Sequence, residues 1–108
     1  MSTSTTGVIV VLIASPQSAS DKLARSLIES RLAACVNCMP GVRSTYRWEG
    51  KVEVDTEDLL VVKTTKEAFP RLEELVKKEH PYDVPEIIGM DVPVGSKDYL
   101  SWVKENVV

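Results

Sequence analysis

Val42-Arg43-Ser44-Thr45-Tyr46-Arg47-Trp48-Glu49-Gly50-Lys51-Val52-Glu53-Val54-Asp55-Thr56-Glu57 holds the pattern from which the architecture follows. Val42, Ser44, Tyr46 and Trp48 alternate with Arg43, Thr45 and Arg47, the period of two that marks an extended strand. Glu49-Gly50 supplies a two-residue turn, and Val52, Val54 and Thr56 then alternate with Glu53, Asp55 and Glu57. The second arm runs on through the apolar segment Leu59 to Val62, so the whole reads as one long hairpin, about Val36 to Trp48 against Lys51 to Thr64. Arms of about 13 residues extend about 43 Å. A domain of this length has a diameter on the order of 34 Å, so the hairpin must bend or protrude. Pro40-Gly41 marks the bend. Tyr46 and Trp48 are expected on one face of the tip beside Val52 and Val54, and a lone two-stranded ribbon with such a face is marginal in water. A second copy of the chain, in a closed symmetric assembly, is the expected cover.

Outward from the hairpin, Val8 to Ala14 is an almost unbroken β-branched run, the pattern of a central strand covered on both faces. Pro16 ends it, Ser18 with Asp21 predicts a helix start, and Leu23, Leu27, Ile28 and Leu32 continue at helical spacing to about Ala34. Leu72, Leu75 and Val76 mark a second helix. Pro70 cannot lie deep inside it, so regular helix is expected from about Phe69, with Thr64 and Thr65 closing the preceding strand. Ile87 to Val92 is a fourth strand, and Ser96 opens a last helix with the apolar stripe Tyr99, Leu100, Trp102 and Val103. Strand, helix, strand, strand, helix, strand and an extra helix is the split βαβ order of a ferredoxin-like α/β sandwich. The chain has 108 residues, 44% of them hydrophobic and 27% charged. That length suits one domain, expected over residues 8–108 behind a frayed Ser/Thr-rich tail at 1–7. A core of this size needs neither metal nor disulfide to fold.

Composition excludes several classes. Thirteen basic against sixteen acidic residues give a net charge of −3, the wrong sign for tracking phosphates, so no nucleic-acid partner is expected. No apolar run approaches a membrane span, and no secretory or transit signal is evident; the expected location is cytoplasmic. Phosphate-loop, nucleophile-elbow and dinucleotide-binding signatures are missing, and no nucleophile, base and orienting group occur together, so no enzyme is expected. Cys35-Val36-Asn37-Cys38 has C-x-x-C spacing, but it runs into a strand, where positions three apart point to opposite faces; both thiols are read as structural and buried. His80, the single histidine, sits where the second helix ends, a position that favours an imidazolium through the macrodipole. As a metal ligand it would suit copper or zinc, with Glu79, Asp83 or Glu86 as oxygen donors, although no multidentate spacing accompanies it. Lys63, on an apolar strand, either snorkels to water or joins Tyr46, Glu57 and Glu86 in a polar pocket for an anionic or zwitterionic ligand; with Trp48 and Tyr82 these residues are the candidates for a cleft between subunits.

The blocks Arg31-Leu32-Ala33-Ala34-Cys35-Val36-Asn37, Pro40-Gly41, Tyr46-Arg47-Trp48-Glu49-Gly50-Lys51, Leu60-Val61-Val62-Lys63-Thr64, His80-Pro81-Tyr82, Pro85-Glu86-Ile87 and Tyr99-Leu100-Ser101-Trp102, in this order, closely resemble the CutA divalent-cation tolerance family over about Val8 to Glu105. The resemblance implies a ferredoxin-like homotrimer, similar in plan to the PII signal proteins, with the long hairpins in intersubunit sheets. It also implies a part in tolerance to copper and other divalent cations. Some bacterial members bind copper through a first-strand cysteine and a His-His pair before Pro-Tyr. Here Ile13 stands near the cysteine position and Glu79 precedes the single His80, so only His80 carries over and weak copper or zinc binding is expected. Two other roles follow from the same assembly: a PII-like sensor with a small-molecule cleft between subunits, and a trimeric scaffold for a partner protein.

Overall fold

The computed structural model describes residues 6–108. Its elements are β1 (Val8–Ser15), α1 (Gln17–Glu29), β2 (Cys35–Trp48), β3 (Lys51–Thr65), α2 (Phe69–Glu79), β4 (Ile87–Asp91) and α3 (Lys97–Glu105). The four strands form one antiparallel sheet in the order β2-β3-β1-β4. This is the ferredoxin-like arrangement, in which the two outer strands are the ones that follow α2 and α1.

β1 is central, and its uninterrupted apolarity has a cause on each side. Ile9, Val11 and Ile13, with Leu60 and Val62 of β3, pack under Leu23 and Leu27 of α1 and Leu72 and Val76 of α2. Val8, Val10, Leu12 and Ala14 point to the opposite face, where α3 contacts β1 and β3 and buries Val103 fully. α3 leaves much of that face uncovered. By register Ile88, Leu12 and Val61 form one row across it and Met90, Val10 and Lys63 the next, with Met39 further out opposite Leu59. Ile88, Met90 and Met39 are each about half exposed in the single chain, as are Tyr99 and Trp102 of the α3 stripe.

The hairpin closes as its sequence demands. Trp48 pairs with Lys51 across Glu49 and Gly50, whose φ values of 51° and 82° place both in the left-handed region of a type I′ turn. The register shifts between Met39 and Val42, where Gly41 has φ 75°, so Pro40-Gly41 forms the bulge that bends the arm. The longest dimension of the molecule is 43 Å. One expectation about the tip is overturned. Tyr46 lies opposite Glu53 and Trp48 opposite Lys51, whereas Val52 and Val54 lie opposite Arg47 and Thr45. The aromatic and valine sets are therefore on opposite faces, because the two-residue turn pairs Trp48 with Lys51 and so sets Tyr46 and Trp48 on the side of Lys51 and Glu53.

The first helix also differs from expectation. It begins at Gln17 with Pro16 at its N-cap and no side-chain cap, and it ends at Glu29 instead of Ala34. Arg31 adopts φ 62°, its N–H reaching Ile28 O and that of Leu32 reaching Leu27 O, each at 3.0 Å. This is a Schellman ending without the usual glycine, held by burial of Leu27 and Leu32 in the core. α2 starts at Phe69 with Pro70 in its first turn, as the proline requires. Thr6 and Gly7, expected in the frayed tail, are tied down: Thr6 Oγ1 donates to Val92 O, and Gly7 O accepts from Lys66 N–H at 2.9 Å. The rest of the expected tail lies outside the described residues.

Candidate functional site

α2 ends where His80 precedes Pro81. A residue before proline is pushed out of the helical region, and His80 accordingly has φ −76° and ψ 137° while its N–H still bonds Val76 O at 2.7 Å. This turns the imidazole inward, where it is 6% exposed. Nε2 lies 2.8 Å from Ala14 O at the end of β1, and Nδ1 accepts the Tyr82 N–H at 3.1 Å. A carbonyl only accepts and an amide N–H only donates, so this geometry requires the neutral Nε2–H tautomer. Tyr82 packs on the imidazole with ring centroids 4.7 Å apart. Its hydroxyl reaches across to the hairpin and donates to Glu57 Oε2 at 2.8 Å. His80 thus braces the segment 80–86 to β1, and Tyr82 joins that segment to β3.

Between the segment and the hairpin lies a cavity of about 700 Å³. Tyr46, Trp48, Glu57, Tyr82 and Glu86, five of the six residues expected around a cleft between subunits, line this cavity of the single chain. Lys63 does not. It sits three alternations from Glu57 along β3, opposite Cys35, and its ammonium donates to Asn37 Oδ1 on the open sheet face. Asp55 and Asp83 also line the cavity and were not anticipated there. Asp55 shares the Glu53, Asp55, Glu57 face, and the Tyr46 hydroxyl donates to its Oδ2; that alternation was the available signal. Asp83 was expected only as an oxygen donor beside His80, from its place in the Pro81 to Glu86 segment.

Both phenols are held protonated. The hydrogen bond to Asp55, then partial burial and the charges of Asp55, Glu53 and Glu57 push Tyr46 from 10 up to about 12. Burial, then the bond to Glu57 and its charge, raise Tyr82 further. A group whose pKa is raised on folding contributes stability below its unfolded value and loses it as pH rises through the folded one. Stability is therefore expected to hold to about pH 10 and fall from there toward pH 12 as the tyrosines ionise. Tyr46→Phe should flatten part of that fall. Denaturant midpoints measured across this window, with tyrosinate absorbance on the same samples, check it; identical slopes in the variant and the parent would refute it.

A metal held on His80 does not fit this geometry. Both ring nitrogens are engaged, so no lone pair is free, and a metal would have to displace either the Ala14 or the Tyr82 bond. Glu79, the expected neighbouring donor, has a buried Oε1 without a hydrogen-bond partner. Among the described residues no three His, Cys, Asp or Glu side chains group as metal ligands. The cysteines give no alternative. Cys35 pairs with Lys63 and Cys38 with Leu60, three positions apart and on opposite faces, and both are free thiols. The expectation that both are buried fails for Cys38, which is exposed, and for Cys35, which is only partly covered, because β2 is an edge strand, open on its outer side, that α1 covers only in part. Partial burial, then the hydrogen bond to Asp58 and its charge, push the Cys38 thiol above its ordinary value, the reverse of an activated nucleophile.

A family model described as "CutA1 divalent ion tolerance protein" matches residues 8–106. The chain belongs to the CutA1 family. Among CutA relatives, the divalent-cation tolerance protein CutA of Thermus thermophilus is 52% identical over 98 residues, 90% of this chain and 95% of the relative. The chloroplastic CutA of Arabidopsis thaliana is 46% identical over 91% of this chain, which spans only 54% of that protein. Solved CutA1 structures superpose closely. The T. thermophilus protein gives a TM-score of 0.91 at 50% identity, covering 94% of this chain and 99% of its own, and rice CutA1 gives 0.91 at 44% identity, covering 96% and 98%. CutA members do not share one compartment. The Arabidopsis and rice relatives are named chloroplastic, and an Archaeoglobus fulgidus CutA structure at 36% identity and TM-score 0.90, covering 94% of this chain and 99% of its own, is described as periplasmic. The expected cytoplasmic location is therefore withdrawn: family membership fixes no address. No helix among the described residues is long and apolar enough to cross a membrane.

Proposed function

We infer that this chain serves divalent-cation tolerance as a non-catalytic homotrimer whose working site is the cleft between the hairpin and residues 80–86, with metal sensitivity exerted indirectly and not through a metal bound to His80. The single observation that carries this reading is the commitment of both His80 nitrogens within the chain, beside a cavity of small-molecule size. The half-exposed apolar rows on the sheet support the assembly, since a patch of this kind on a sheet face is covered by a partner. The reading is close to the PII-like sensor alternative, and the cleft favours it over a scaffold, which would need no cavity.

Titration of Cu²⁺ and Zn²⁺ into the intact protein, followed through the His80 ring signals by NMR, tests it. Equimolar metal is expected to leave those signals in place. Their loss or displacement before any unfolding would return His80 to the role of ligand.

A further inference from the structure

The cleft carries an unbalanced charge. Glu57 lines it, is only 7% exposed, and takes its one hydrogen bond from the neutral phenol of Tyr82. The ion pairs among the described residues are Arg25 with Glu29, Lys66 with Asp91 and Lys77 with Glu73, none of them near this carboxylate. Withdrawing a carboxylate from water is unfavourable unless a cation accompanies it. Asp55, Asp83 and Glu86 line the same cavity, and among the described residues no lysine, arginine or histidine does. An anion would meet four carboxylates there. A bare divalent ion would need several oxygens converging at about 2.0–2.6 Å, and the carboxylates do not group in that way. Tyr46, Trp48 and Tyr82 also line the cavity. Aromatic rings attract cations through their quadrupoles and offer carbon surface to an apolar body.

We propose that the cleft binds a small organic cation, an ammonium or guanidinium group on a short carbon framework, with its charge against Glu57 and its body against Trp48 and Tyr46. The proposal rests on the cleft being the working site and names the chemistry of what enters it. Tyr82 holds the Glu57 carboxylate in one orientation, and the brace from His80 to Ala14 holds Tyr82.

Spermidine and agmatine, titrated separately into the intact protein by calorimetry, test the proposal, with the indole N–H signals of the two tryptophans as site reporters; Trp48 lines the cleft and Trp102 does not. Both amines are expected to bind, to shift Trp48 and to leave Trp102 in place. Glu57→Gln keeps an acceptor for Tyr82 and should weaken binding about tenfold, the equivalent of about 1.4 kcal/mol. Glu86→Gln, at an exposed position, serves if the first variant does not fold, with a smaller loss in the same direction. Unchanged amine affinity in a folded Glu57→Gln overturns the proposal. If citrate shifts Trp48 and neither amine does, the cation class is wrong while the cleft stands as a ligand site. If neither the amines nor citrate move Trp48, both readings fall, the result expected where a basic side chain of a neighbouring copy already fills the space.

Discussion

His80→Ala is expected to destabilise the protein by about 3 kcal/mol at neutral pH, measured by denaturant unfolding at fixed chain concentration. The imidazole is buried and makes two hydrogen bonds, so its removal leaves the Ala14 carbonyl and the Tyr82 amide without partners. Each buried polar group left unpaired costs about 1–3 kcal/mol, and the vacated ring volume adds to that. The damage should be directional. With the brace gone, residues 80–86 lose their tie to β1, Tyr82 no longer holds Glu57, and amine binding in the cleft should weaken along with stability. Affinity for Cu²⁺ should not change. A loss below about 1 kcal/mol, or a fall in copper affinity in a variant that stays folded, would show that the ring serves a purpose other than bracing.

The second large effect concerns assembly. Ile88→Lys with Met90→Lys places two cations on the uncovered sheet face, at side chains 53% and 48% exposed in the single chain. Folding of one chain should scarcely notice, because the ammonium groups reach water. Burying them against neighbouring copies removes that water without supplying partners, and each such charge costs several kcal/mol, repeated at every interface of a ring. Light scattering is expected to give about three chains per particle for the parent and a single 12.0 kDa chain for the double variant. A variant with the parent's mass would exclude this face from the interface. A parent found as single chains would remove the homotrimer altogether.

Much of this molecule is legible along its chain, for local reasons. Pro70 positions the start of α2 because its ring and missing N–H are tolerated only in a first turn. Glu49-Gly50 and Pro40-Gly41 locate the turn and the bulge because few residues accept φ values of 75–82° other than glycine. The alternation around them puts Tyr46 and Trp48 on one face of the tip, whereas the meeting of that face with Tyr82 and Glu86 needs the folded chain. Errors arose where a distant contact outweighed a local preference. Helical spacing past Glu29 runs through Leu32, but core burial of Leu27 and Leu32 draws Arg31 into a left-handed conformation and ends the helix there. Lys63 shares a strand with Glu57 without sharing its site. A strand spreads its residues about 3.3 Å apart, and six positions carry the ammonium far from the cleft.

The role of His80 shows the division most clearly. Its place at the end of α2, before a proline and beside several carboxylates, was set by order along the chain, and order alone was compatible with a macrodipole partner, a packed ring or a metal ligand. The choice among them depends on Ala14, 66 positions away, whose carbonyl reaches Nε2 only because the sheet order brings the end of β1 beneath the end of α2. Periodicity, turn chemistry and proline placement act over a few residues and are written in the sequence. Which hydrogen-bonding partner a buried ring meets, and whether a carboxylate such as Glu57 finds a cation, are decided by groups that only the folded chain brings within 3 Å.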